Sequence, residues 1–125
     1  MVAVLIVDDE QDLRSSIAMV LKDAGFDVVE AGDGAAALPI LRDQAVDLLI
    51  TDLVMPGIEG MELVRLLAGR ARRPAIIVMS AHHGEERGAY LELAGRLGAD
   101  RTLKKPFKAR ELLEAVRQVM AVKPA

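Results

Sequence analysis

Apolar and polar residues alternate along this chain in two different rhythms. Four short runs rich in branched side chains, VAVLIV (2–7), DVVEA (27–31), DLLIT (47–51) and PAIIVM (74–79), are followed by a weaker fifth, RTLK (101–104). Runs this continuous suit strands covered on both faces, as in a parallel sheet. Between them the apolar positions recur at helical spacing. Leu13, Ile17, Val20, Leu21 and Ala24 form one stripe that stops at Gly25, and Ala37, Leu38 and Leu41 form a second behind Asp33, a suitable cap. Met61, Val64, Leu67 and Ala68 make a third, and Leu91, Ala94 and Leu97, before Gly98, a fourth. Leu112, Leu113, Val116, Val119 and Met120 complete the set.

Five β-α repeats predict an α/β fold, a five-stranded parallel sheet doubly wound by helices through right-handed crossovers. Two positions fit poorly. Pro39 falls inside the second helix and should kink or shorten it, and Lys108 stands at the start of the last helix where Ser, Asp or Asn is preferred.

Composition narrows the class. The chain has 125 residues, enough for one domain (1–125) with a substantial core and too few for two. Its charge of -3 is spread among mixed signs, which suggests neither a nucleic-acid stripe nor a membrane-binding face. The basic run Arg70 to Arg73 has no interleaved aromatic residues and reads as a solvated loop. The absence of Cys removes disulfide and thiolate-metal chemistry and suits a reducing compartment. The apolar runs are short for a membrane span, and Asp8 and Asp9 interrupt the first, so a cytoplasmic protein without a membrane role is expected.

Candidate chemistry collects at the carboxyl ends of the strands, where ligands of parallel sheets bind. The first strand delivers Asp8 and Asp9, the third Asp52, the fourth Ser80, and the fifth Lys105. Singly these are ordinary residues: a helix cap, a loop hydroxyl, a solvated amine. Together they bring three carboxylates, a hydroxyl and an ammonium to one cleft. Oxygen-only ligation favours Mg2+, with Mn2+ able to substitute, and Mg2+ commonly shares its coordination with phosphate. Asp52 is then the candidate acceptor in a phosphoryl transfer, with Lys105 and Ser80 to stabilise the phosphoryl oxygens.

The motifs DDE (8–10), ITDLVMPG (50–57), SA (80–81), GAD (98–100) and KPF (105–107) occur in that order over essentially the whole chain. The set resembles the receiver domain of two-component response regulators. That resemblance implies the flavodoxin-like strand order 2-1-3-4-5 and phosphoryl transfer to Asp52 from a sensor histidine kinase or phosphotransfer protein. It implies Mg2+ held by Asp8, Asp9, Asp52 and the backbone carbonyl of Val54. Ser80 would be the switch hydroxyl, Lys105 the phosphate-pairing amine, and Pro106 would follow a cis bond. The implied role is a signalling switch that catalyses only its own phosphorylation and dephosphorylation. Its partner-binding surface would lie around the fourth predicted helix, the fifth strand and the last helix. That surface would engage a downstream protein or output domain, or a second copy in a phosphorylation-dependent homodimer, with no direct nucleic-acid contact.

The chain also departs from the family. Thr102 stands where an aromatic residue commonly reports the position of the switch hydroxyl, and the segment from Ser80 to Lys105 is longer than usual. Tyr90 is open to two readings, packing residue or substitute reporter. Phe107 reads as a core contact, and His82 and His83, adjacent and without a third ligand, as loop residues. An aspartyl-phosphate phosphatase would want a second carboxylate soon after the nucleophile, where Val54 stands. A receiver-like module that takes no phosphate would have no need of the intact acidic set. A nucleotide-binding domain would want G-x-G-x-x-G or a P-loop after the first strand. Because apolar Val54 cannot orient an attacking water, slow self-dephosphorylation is expected. Phosphoprotein decay, followed by mass spectrometry, should be faster in Val54→Asn than in the wild type.

Overall fold

The strands are continuous in apolar residues because helices cover both faces of the sheet they form. The computed structural model describes residues 2–53, 60–70, 73–80, 92, 95, 96 and 98–122. Within these the order is β1 (Ala3–Val7), α1 (Gln11–Asp23), β2 (Asp27–Ala31), α2 (Gly34–Asp43), β3 (Leu48–Asp52), α3 (Gly60–Ala68), β4 (Ala75–Ser80), β5 (Arg101–Lys104) and a last helix, Ala109–Val122. All five strands run parallel in the order β2-β1-β3-β4-β5, as expected.

Strand alternation divides the core in two. Val4, Ile6, Leu48, Ile50, Ile77 and Met79 pack with Ile17 and Leu21 of α1 and with Leu112 and Val116 of the last helix. Leu5, Val7, Leu49, Ile76 and Val78 meet Ala37 and Leu41 of α2 and Leu63, Val64 and Leu67 of α3 on the other side. Phe107 is a half-buried contact of the first cluster, as its sequence position suggested.

Several boundaries differ from the sequence reading for identifiable reasons. Pro74 has no N–H to donate, so β4 begins at Ala75, whose N–H reaches the Asp47 carbonyl at 3.0 Å. The sheet then continues one residue further than the apolar runs do, and Asp52 and Ser80 are the last strand residues rather than the first loop residues. In α1, Ala24 leaves the stripe: it is the exposed C-cap, and Gly25 follows at φ +97. Helix α2 runs through Pro39 to Asp43. At Lys108 the missing cap is made good by Glu111, whose Oε1 accepts the Lys108 N–H at 3.1 Å, one half of a capping box. Nor is the basic run only a solvated loop, since Arg73 forms a two-pronged pair with Asp100 at 2.9 and 3.1 Å. Asp100 also accepts the Ile76 N–H at 2.8 Å, which ties the start of β4 to the approach to β5.

Glu92 and Arg96 have helical backbone and pair at 2.8 Å. Leu91, Ala94 and Leu97 of that predicted helix lie outside the described residues, as do Val54, Met55-Pro56-Gly57, His82, His83 and Tyr90. Asp33 caps α2 by accepting the Ala36 N–H at 2.8 Å. Asp33→Ala should therefore lower stability by about 1 kcal/mol, measured by urea unfolding.

Candidate functional site

The last hydrogen bonds of the sheet hold the backbone of the candidate residues. Asp8 follows β1, and its N–H reaches the Ala31 carbonyl at 3.2 Å. Leu53, just after Asp52, donates to the Met79 carbonyl at 2.9 Å. Lys105 donates from its backbone to the Ser80 carbonyl at 2.8 Å. Side chains leaving these anchored positions meet above one edge of the sheet. Lys105 Nζ lies 2.9 Å from Asp8 Oδ2, 3.4 Å from Asp52 Oδ2 and 3.9 Å from Glu10 Oε1. Oxygens of Asp8, Asp9 and Asp52 all fall within 4.8 Å of one another. Asp8 and Ser80 are fully buried and Asp52 and Lys105 nearly so, while Asp9 is exposed at the mouth. The Lys105–Pro106 peptide is cis, as the resemblance implied.

Charge in this cluster is unbalanced. Two carboxylates about 4 Å apart repel by about 4 kcal/mol at an effective dielectric of about 20. Burial pushes the Asp52 carboxyl above the usual range; Lys105 opposes the rise and the charge of Asp8 adds to it. Burial would push the Lys105 ammonium down, but its hydrogen bond to Asp8 and the charges of Asp52 and Asp8 outweigh that and hold it above the ordinary lysine value. One ammonium facing three carboxylates leaves the cluster negative, and its donors toward the mouth are all oxygens. That is the donor set of a hard divalent cation.

The sequence pattern of the response regulator receiver domain matches residues 4–117. The chain belongs to this family. It is 35% identical over 120 residues to the sensory transduction protein RegX3 of Mycolicibacterium smegmatis, covering 96% of this chain and 51% of that protein. It is 38% identical over 114 residues to the DNA-binding response regulator MtrA of Mycolicibacterium paratuberculosis, covering 91% of this chain and 49% of that protein. The chain thus spans about half the length of the curated relatives it matches. Among solved structures, FixJ-N aligns with a TM-score of 0.87 at 31% identity, over 100% of this chain and 98% of that one. The chemotaxis response regulator CheY4 of Vibrio cholerae aligns at 0.83 and 30% identity, over 95% and 98%. The chain is a receiver domain of a two-component response regulator, a signalling switch. Among the described residues no helix is long and apolar enough to cross a membrane.

The receiver's edge also contains residues that the sequence patterns did not single out. Arg14 of α1 donates to the Asp8 carbonyl at 2.8 Å and to Glu30 of β2 at 3.2 Å, bracing the chain that carries Asp8. Nothing local marks Arg14, because Glu30 reaches it only through strand pairing. Thr51 and Gly60 meet at the Asp52 backbone, and a glycine opening a helix was the one available hint. Thr102 lies in β5 opposite Val78, half-buried.

The raised Asp52 value has a sign that can be tested. Its contribution to stability is present below the unfolded carboxylate pKa and is lost as pH rises through the higher folded value. Asp52→Asn keeps the shape without the charge. In chelator at pH 7 the variant should melt above the wild type, with the gap closing as the pH falls below the carboxylate range, by thermal scans across pH.

Proposed function

We propose that this receiver takes a phosphoryl group on Asp52, in a Mg2+-dependent transfer from a sensor histidine kinase or phosphotransfer protein. One observation carries the reading: three carboxylates converge within 4.8 Å beside a buried lysine that contacts two of them. Asp8, Asp9 and Asp52 would hold the cation together with the backbone carbonyl of Val54. Bound there, Mg2+ or Mn2+ would neutralise charge on the carboxylates and on the transferring oxygens.

Asp52 Oδ1 accepts the Leu53 N–H at 2.8 Å, whereas Oδ2 faces Lys105. In this reading Oδ2 attacks phosphorus. The P–N bond of the donor phosphohistidine breaks, and the imidazole nitrogen keeps the electron pair. Lys105 faces the added phosphoryl oxygens with its charge, and Ser80 moves its hydroxyl to donate to them. Phosphorylation thereby changes the charge and hydrogen bonding at the ends of β4 and β5. The change biases a partner-binding surface around the segment before β5, β5 itself and the last helix. With Thr102 in place of an aromatic residue, coupling runs through the β4–β5 ladder instead of a rotating ring.

The domain occupies residues 1–125 and works in the cytoplasm, as a switch rather than a turnover enzyme. Its downstream partner is a protein or an output domain, with phosphorylation-dependent homodimerisation as one route to it. Mg2+ and a small acyl phosphate should give a stable phosphoryl mass addition in the wild type and none in Asp52→Asn, read by intact mass spectrometry. An equal adduct in both proteins, or steady turnover of unrelated phosphoesters, would sink the proposal.

A further inference from the structure

The Asp52–Leu53 peptide is held from both of its sides. On one side the Leu53 N–H donates to the Met79 carbonyl at 2.9 Å and to Asp52 Oδ1 at 2.8 Å. On the other, the buried Thr51 hydroxyl donates to the Asp52 carbonyl at 3.0 Å. Gly60, the first residue of α3, closes against that same carbonyl. A Cβ built at Gly60 overlaps the Asp52 carbonyl oxygen, and it would lie 2.7 Å from the carbonyl carbon and 3.0 Å from Thr51 Oγ1. The two Asp52 carbonyl atoms belong to the backbone of a central strand and cannot swing aside as the end of a flexible side chain would.

A peptide unit is planar, with its C=O and N–H rigidly opposed. Any push or loss of restraint on the Asp52 carbonyl therefore rotates the Leu53 N–H that holds Oδ1, and the carboxylate turns with it. We infer that Thr51 and Gly60 form a clamp on the Asp52 carbonyl that aims the acceptor carboxylate, which makes both of them positioning residues for the transfer. The inference rests on the reading of Asp52 as the phosphoacceptor. Its mechanical half, the clamp's control of the Leu53 N–H, has a readout of its own.

The clamp also joins two elements. Gly60 lies in α3, whose Leu63, Val64 and Leu67 are fully packed against the sheet. The aim of the acceptor is thus set partly by where α3 seats on the sheet. Misalignment of reacting groups by about 1 Å can cost about a hundredfold in rate.

The test uses the whole chain and three variants: Thr51→Val, which keeps the shape and removes the hydroxyl; Thr51→Ser, which restores it; and Gly60→Ala. Phosphorylation by acetyl phosphate is timed at saturating Mg2+. The Leu53 amide is followed separately by NMR hydrogen exchange. Thr51→Val should be phosphorylated at least about tenfold more slowly, with Thr51→Ser within about twofold of wild type. Gly60→Ala, where it folds, should be slower still. In Thr51→Val, Leu53 exchange should rise while amides in the middle of β3 and β4 keep their protection, a pattern that general loosening of the fold does not give. Wild-type rates and unchanged Leu53 exchange in folded Thr51→Val would overturn the clamp. Uniform loss of protection across the sheet, or a slow rate that Thr51→Ser does not restore, would do the same. If the wild type takes no phosphate on Asp52, the reading of the acceptor fails, and Leu53 exchange alone decides the mechanical claim.

Discussion

Mutual repulsion of buried carboxylates is the constraint around which the carboxyl edge of this sheet is arranged. Asp8 and Asp52 sit where water cannot screen them, and Lys105 is the buried cation facing both. Removing Lys105 would leave two buried carboxylates facing each other without compensation, at a cost of about 3–5 kcal/mol. The three residues can stand there because their backbones are tied down by the sheet's own ladder, which keeps the ammonium near both acids. Even so, the ammonium does not neutralise the cluster. The remaining negative charge is a cost of the folded state that a bound cation would relieve.

The fold was largely legible because burial on both faces writes itself into composition. Runs such as IIVM at 76–79 have no polar alternate, and only a sheet covered on both sides explains them. The site was legible for a related reason: a charge at the end of such a run, as at Asp52, needs a partner, and topology brings strand ends together. What the sequence did not reveal depends on contacts between distant segments. The pair of Arg73 with Asp100 needs β4 and β5 to be neighbours, and the brace of Arg14 to Glu30 needs β2 beside β1. Gly60 is similar, since its missing side chain matters only once α3 rests on β3. Local rules also misplaced the ends of strands, because Pro74 and the ladder bond at Leu53, not the last apolar residue, decide where pairing starts and stops.

The division of the core into two layers has a bearing on how a signal can spread. Asp52 continues the side of β3 that carries Leu48 and Ile50, toward α1 and the last helix. Thr51 and Gly60 act from the opposite layer, with α3. The Asp52 carboxylate is therefore within reach of both layers through a single peptide unit.

The clip between Arg73 and Asp100 lies at the end of β4 and β5 opposite to Ser80 and Lys105. With Asp100 also holding the Ile76 N–H, the two strands are pinned together where they begin. Sliding one strand along the other would require this clip and the ladder from Ile77 to Ser80 to break together. The two strands are thus tied together, in the register of their ladder, at the end opposite the one that carries Ser80 and Lys105.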